Sequence, residues 1–221
     1  VLRYLRVQFA GEKINDEDEL NGIAFQGVGA GTVVDYVQVH RNADDGIEFF
    51  GGTCNFKHIY ITGVGDDNLD WTDGWRGKGQ WLIAQQYEDD GDNGIEADNR
   101  EGDENAEPRS NPTIANMSIQ GNSGERGILL RRGTGADIYN SLVTGSATCF
   151  EVAGESVALL GTAIALGGMP LSRRVQTPSG PLKSGKPDSV LMPAPVNTNR
   201  RLQGSTNANR ASTGSGDGIN R

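Results

Sequence analysis

An internal repeat constrains this chain more than any other feature. Asn21-Gly22-Ile23-Ala24-Phe25, Asp45-Gly46-Ile47-Glu48-Phe49 and Asp67-Asn68-Leu69-Asp70-Trp71 align, and Asn93-Gly94-Ile95-Glu96-Ala97 and Arg126-Gly127-Ile128-Leu129-Leu130 continue the series. With the second residue of each as marker, the spacings are 24, 22, 26 and 33 residues, the last enlarged by an acidic insertion from Arg100 to Pro112. A second series keeps step with the first: Leu5-Arg6-Val7, Val37-Gln38-Val39, Ile59-Tyr60-Ile61, Leu82-Ile83-Ala84, Met117-Ser118-Ile119 and Ser141-Leu142-Val143. Alternation with period 2 inside these segments is the signature of strands with one face buried. A propeller blade needs about four strands in about 40 residues, whereas this interval holds two or three. Coils of that length bury their inner faces only by stacking on one another. The spacing therefore predicts an all-β fold, a right-handed parallel β-helix of about six coils over residues 1–150. Gly22, Gly46 and Gly94 recur where the chain turns, which predicts tight or positive-φ backbone there.

Composition supports turn-dense β structure, since 32 Gly and 6% aromatic residues suit a helical bundle poorly. Residues 1–150 carry 25 acidic and 12 basic side chains, and residues 151–221 carry 4 and 8, so the two parts follow different rules. The acidic body excludes nucleic acid as a partner and suits cations, cationic partners or neutral glycans. The remainder, 151–221, is rich in Pro, Ser, Gly, Asn and Arg beyond residue 168 and reads as an irregular, flexible tail. No run of about 18 apolar residues is present, so no membrane span is expected. Cys54 and Cys149 fall in different coils and are expected to be free. Zinc spacing, a phosphate-binding Gly loop and a Ser/His/Asp arrangement are absent from the sequence.

Stacked coils turn equivalent positions into ladders about 4.8 Å apart, and the chemistry lies along those ladders. Between two inward residues of the first series the outward positions are Ala24, Glu48, Asp70, Glu96 and Leu129, so three carboxylates stack. Neighbouring turns add Asp45, Asp67 and Asp92 before the strands and Asp73 and Asp98 after them. Like charges at this spacing raise one another's pKa unless a cation or donors intervene. Three readings follow: turn caps, a Ca²⁺ site built from Asp45, Asp67, Asp70, Asp73 and Asp92, or acid/base catalysis by Glu48, Asp70 and Glu96. The second series carries Tyr4, Tyr36, His58 and Trp81, then Asn116 and Asn140, at the position before its inward pair. Stacked rings stabilise successive coils, and Tyr36, His58 and Trp81 are also candidate sugar contacts. Trp71 and Phe49 are expected in the core. Lys57, Arg76 and Lys78 are the cations nearest the acidic wall in register, and Arg76 and Lys78, with Trp75 on a loop and expected to be exposed, complete the candidate substrate-binding set.

The segments Leu20-Asn21-Gly22-Ile23, Val34-Asp35-Tyr36-Val37-Gln38-Val39, Ala43 to Gly52 and Gly65-Asp66-Asp67-Asn68-Leu69-Asp70 resemble bacterial secreted or lipoprotein-type right-handed β-helix proteins of pectate-lyase-like fold, over about residues 1–148. The resemblance implies a secreted, periplasmic or cell-surface location, with any signal lying outside this chain. It also implies a structural or polysaccharide-binding role, with Ca²⁺ as the cofactor and a polysaccharide or cell-surface glycan as partner. The alternative it carries is a carbohydrate-active enzyme, a lyase or glycoside hydrolase, although the catalytic signature of such enzymes is not matched residue by residue. Exposed solenoid ends imply self-association as a further possibility.

Overall fold

A computed structural model of the protein describes residues 1–15, 19–154, 156–160 and 163–166. In chain order the strands are β1 (Leu2–Gln8), β2 (Ile23–Gln26), β3 (Val33–His40), β4 (Ile47–Phe50), β5 (Asn55–Thr62), β6 (Leu69–Thr72), β7 (Lys78–Gln85) and β8 (Ile95–Ala97). They continue with β9 (Thr113–Gln120), β10 (Ile128–Leu130), β11 (Gly135–Tyr139), β12 (Ser141–Thr144), β13 (Glu151–Val152), β14 (Val157–Leu160) and β15 (Ala163–Leu166). All the named strands pair in parallel. The long series forms one sheet in the order β1-β3-β5-β7-β9-β11-β14, and the short series a second in the order β13-β10-β8-β6-β4-β2. Through β11 chain neighbours thus alternate between two sheets, whereas β11–β12 and β14–β15 are successive strands of the long-series sheet, and each strand pairs with its counterpart one coil away. That connectivity is a parallel β-helix, as the repeat predicts. Among the described residues no helix is long and apolar enough to cross a membrane.

The core is built from inward rungs. Leu5, Val37, Ile59, Leu82 and Met117 share one rung of the long series, and Ile23, Ile47, Leu69, Ile95 and Ile128 share one of the short. From the second coil onward these side chains are almost fully buried, and each such aliphatic residue contributes about 1.5–3 kcal/mol. Phe25 and Phe49 stack inside at 4.8 Å, with Phe49 against Trp75 at 4.2 Å. Phe49 and Trp71 are core residues, as expected, and Cys54 and Cys149 are buried free thiols.

Two expectations change. Gly22, Gly46 and Gly94 do not have positive φ. They are glycine because the coils meet too closely for a side chain: a Cβ on Gly46 would lie 2.6 Å from the Asn68 carbonyl oxygen and would also strike the Ile61 methyl. The parallel ladders also run past residue 150, for β13 pairs with β10, β14 with β11 and β15 with β12. Of the tail expected over 151–221, residues 167–221 lie outside the described residues.

Candidate functional site

Each of β2, β4, β6, β8 and β10 turns its first and third residues inward and its second outward. The outward rung runs Ala24, Glu48, Asp70, Glu96, Leu129, Glu151, which makes the three expected carboxylates direct neighbours. The preceding turns stack Asp44 and Asp45 against Asp66 and Asp67, and these against Asp92. Four triplets result: Asp44/Asp45/Asp66, Asp45/Glu48/Asp70, Asp66/Asp67/Asp92 and Asp67/Asp70/Glu96. Each brings one oxygen per residue within 4.8 Å of the others. Of the expected metal set, Asp45, Asp67, Asp70 and Asp92 fall in these groups. Asp73 does not, because it follows β6 on an exposed turn, where Arg100 Nε donates to it at 2.9 Å.

The carboxylates differ in what they touch. Asp45 Oδ1 accepts the Asp67 N–H at 3.0 Å, and Asp67 Oδ1 accepts the Asn93 N–H at 2.6 Å, so these two also tie successive turns together. Glu48 accepts from the Asn21 amide, and Glu96 from the Asn93 amide at 3.3 Å and from the Arg131 guanidinium. Arg131 Nε donates to Asp98 at 2.9 Å, and Arg132 Nη1 donates to the same carboxylate at 2.6 Å. Asp70 Oδ1, between Glu48 and Glu96, is buried without a hydrogen-bond partner. Arginine therefore compensates one end of the wall. Among the described residues no Lys or Arg pairs with Asp45, Glu48, Asp67 or Asp70.

Electrostatics follow from that layout. Burial, reinforced by neighbouring carboxylates, holds Asp45, Asp67 and Asp70 well above the usual carboxylate range. Burial likewise pushes Glu48 up to about 7, against the opposing Asn21 hydrogen bond, and Asp66 up to about 6. Glu96 also rises to about 7 through burial, although Arg131 pulls the other way. A wall of this kind either retains protons near neutrality or holds a cation. Its donors are all carboxylate oxygens, which suits Ca²⁺ rather than a softer metal. Two oxygens bound to one ion at about 2.4 Å lie at most about 4.8 Å apart, and every triplet meets that limit.

The second candidate surface lies on the long series. Tyr4, Tyr36, His58 and Trp81 share one rung and stack with ring centroids 5.3, 4.3 and 4.6 Å apart. All four have positive φ, as do Asn116 and Asn140 on the same rung, so each coil swings this residue out of the strand alternation. His58 Nδ1 lies 2.8 Å from Asp35 Oδ1. Tyr36 and His58 have ring partners on both sides, whereas Tyr4 and Trp81 close the two ends of the column with one ring neighbour each, Trp81 at the Asn116 end.

Trp75 corrects the sequence reading. It is 0% exposed, packed on Phe49, with its indole N–H donating to the Cys54 carbonyl at 3.1 Å, and is unavailable to a ligand. Arg76 and Lys78 are exposed and form no ion pair with the acidic wall among the described residues. The cation that does reach the wall is Arg131, which sequence reasoning missed. It occupies the outward row Gln26, Phe50, Thr72, Asp98, Arg131, where the sign reverses between adjacent coils, and that reversal was the available signal.

A family model described as a pectate-lyase-like β-helix domain matches residues 1–212. No curated protein and no solved structure matches the chain.

Proposed function

The chain belongs to the pectate-lyase-like β-helix family, and from that premise we propose that it is an extracytoplasmic polysaccharide-binding protein whose acidic wall is loaded with Ca²⁺. The observation carrying the cation is Asp70: a half-buried residue with one buried, unpartnered carboxylate oxygen, between Glu48 and Glu96, inside two of the four close-set triplets. Leaving such a group unsatisfied costs at least about 1–3 kcal/mol. Asp45, Glu48 and Asp70 would hold one ion, with Asp67 on the adjoining triplet; Glu96 is already engaged by Arg131. A bound Ca²⁺ supplies positive charge to that wall, either fastening the coils together or bridging to hydroxyl and carboxylate oxygens of a glycan.

A thermal melt in chelator and in millimolar Ca²⁺ tests this. At a concentration 100 times Kd, binding adds about 2.7 kcal/mol, which for a chain of this size raises Tm by about 5–10 °C. Asp70→Asn should melt no lower than the native chain in chelator and should lose the Ca²⁺ response. An unchanged native Tm across millimolar Ca²⁺ rejects the cation.

One observation favours an enzyme instead. Glu48 and Glu96 both titrate at about 7 and stand two rungs of about 4.8 Å apart, near the upper end of the 6.5–9.5 Å that separates the carboxyls of inverting glycosidases. Release of reducing ends or unsaturated products from a polysaccharide panel, abolished by Glu48→Gln, would establish that reading over the binding one.

A further inference from the structure

We infer that a groove beside the ring column is a second, cation-independent site that takes a neutral pyranose unit of a glycan. This deepens the polysaccharide reading, on which it rests, and does not involve the acidic wall. The groove has a volume of about 460 Å³ and is lined by His58, Tyr60, Trp81, Ile83, Asn116 and Ser118, together with Ile59 and Leu82. That size lies in the range of small-ligand sites. Trp81 is 42% exposed although it is the largest ring of the column. It has His58 stacked on it at 4.6 Å, and the next position along the rung is Asn116, which carries no ring.

The lining matches the two-sided character of a pyranose. The C–H face of the sugar packs on an aromatic ring, while its hydroxyl rim needs donors and acceptors at the edge. Asn116 Oδ1 is taken by the Asn140 amide, whereas the Asn116 NH₂ and the Ser118 hydroxyl have no partner among the described residues. No carboxylate lines the groove. The Lys57 ammonium lies over the Trp81 ring, 5.6 Å from its centroid. The chain carries a net charge of −9, which repels a polyanion approaching without a bridging cation. A neutral sugar is the class left by these constraints.

Titration of the full chain, in chelator, with neutral oligosaccharides of four to six units and with an oligouronate of equal length tests the inference. Calorimetry gives the affinity. Indole fluorescence reports on Trp81, since Trp71 and Trp75 are both buried. A neutral oligosaccharide should bind and shift the emission, and Trp81→Ala should weaken binding at least tenfold. Asn116→Tyr provides a second variant with a compatible backbone, because Tyr4 and Tyr36 already occupy this rung with similar positive φ, although it gives up the hydrogen bond from Asn140. It should extend the ring column over the open indole, preserve the melt and abolish binding. Neutral-glycan binding indifferent to both substitutions overturns the site while leaving a polysaccharide role elsewhere. Tighter binding of the oligouronate in chelator overturns the neutral class, and no binding of either glycan overturns the inference altogether.

Discussion

Asp70 and Asp45 occupy the same wall but are solved differently by the chain: Asp45 accepts a backbone N–H from the next coil, and Asp70 Oδ1 accepts nothing. The consequence for stability has a definite sign. Glu48 and Glu96 have folded-state pKa values of about 7, above the unfolded value of 4.5. The folded protein therefore binds these protons more tightly. Their stabilisation is complete below about pH 4.5 and is lost as pH rises through 7. In chelator, Tm should fall between pH 5 and 7.5, and Glu48→Gln should flatten the slope; a native profile that is flat or rises with pH in that window contradicts the assigned burial. Single residues were also where the sequence misled. Trp75, correctly placed on a loop, read as exposed because strand alternation says nothing about connections, yet the turn after β6 folds its ring onto Phe49. Arg131 escaped notice because its partners, Glu96 and Asp98, are one coil away in space and 35 and 33 positions away in sequence.

Elements were the scale at which the sequence was most readable. Both strand ladders fall at the expected registers, down to Leu5, Val37, Ile59, Leu82 and Met117 on a single rung. A period-2 pattern repeated at coil length admits one register, since a slip of one residue would turn every apolar side chain to solvent. The strands after residue 150 were harder to see. Glu151–Val152 pairs through only two residues, and Val157–Leu160 is an uninterrupted apolar run without alternation. The closeness of adjacent coils gives a prediction at this scale. Gly46→Ala should cost about 1–3 kcal/mol by overpacking, because its Cβ meets the Asn68 carbonyl at 2.6 Å. Gly29→Ala, with nothing within 4 Å and no positive φ, should melt within about 0.5 kcal/mol of the native chain. Equal melts for the two would show that the coils are not packed as described.

For the whole molecule, the described ladders end on β13, β14 and β15 rather than at the boundary near 150 that composition had suggested. A chain cut after Phe150 would leave β10, β11 and β12 with bare edges, which invite pairing with other molecules. Sedimentation and melting should show it self-associating and less stable than the native chain; a monomer of unchanged Tm would mean those pairings contribute nothing. The insertion from Arg100 to Pro112 shows how differently two kinds of change are borne. It bulges between β8 and β9, and Asn99, donating to the Glu104 and Ala106 carbonyls, fastens it back without disturbing a rung. A lineage carrying this architecture can therefore grow in two currencies of heredity. Loops accept residues one at a time, but the column of outward-swung residues from Tyr4 to Asn140 accepts only whole turns, so copying or deleting an entire coil preserves the molecule where losing a single strand residue does not.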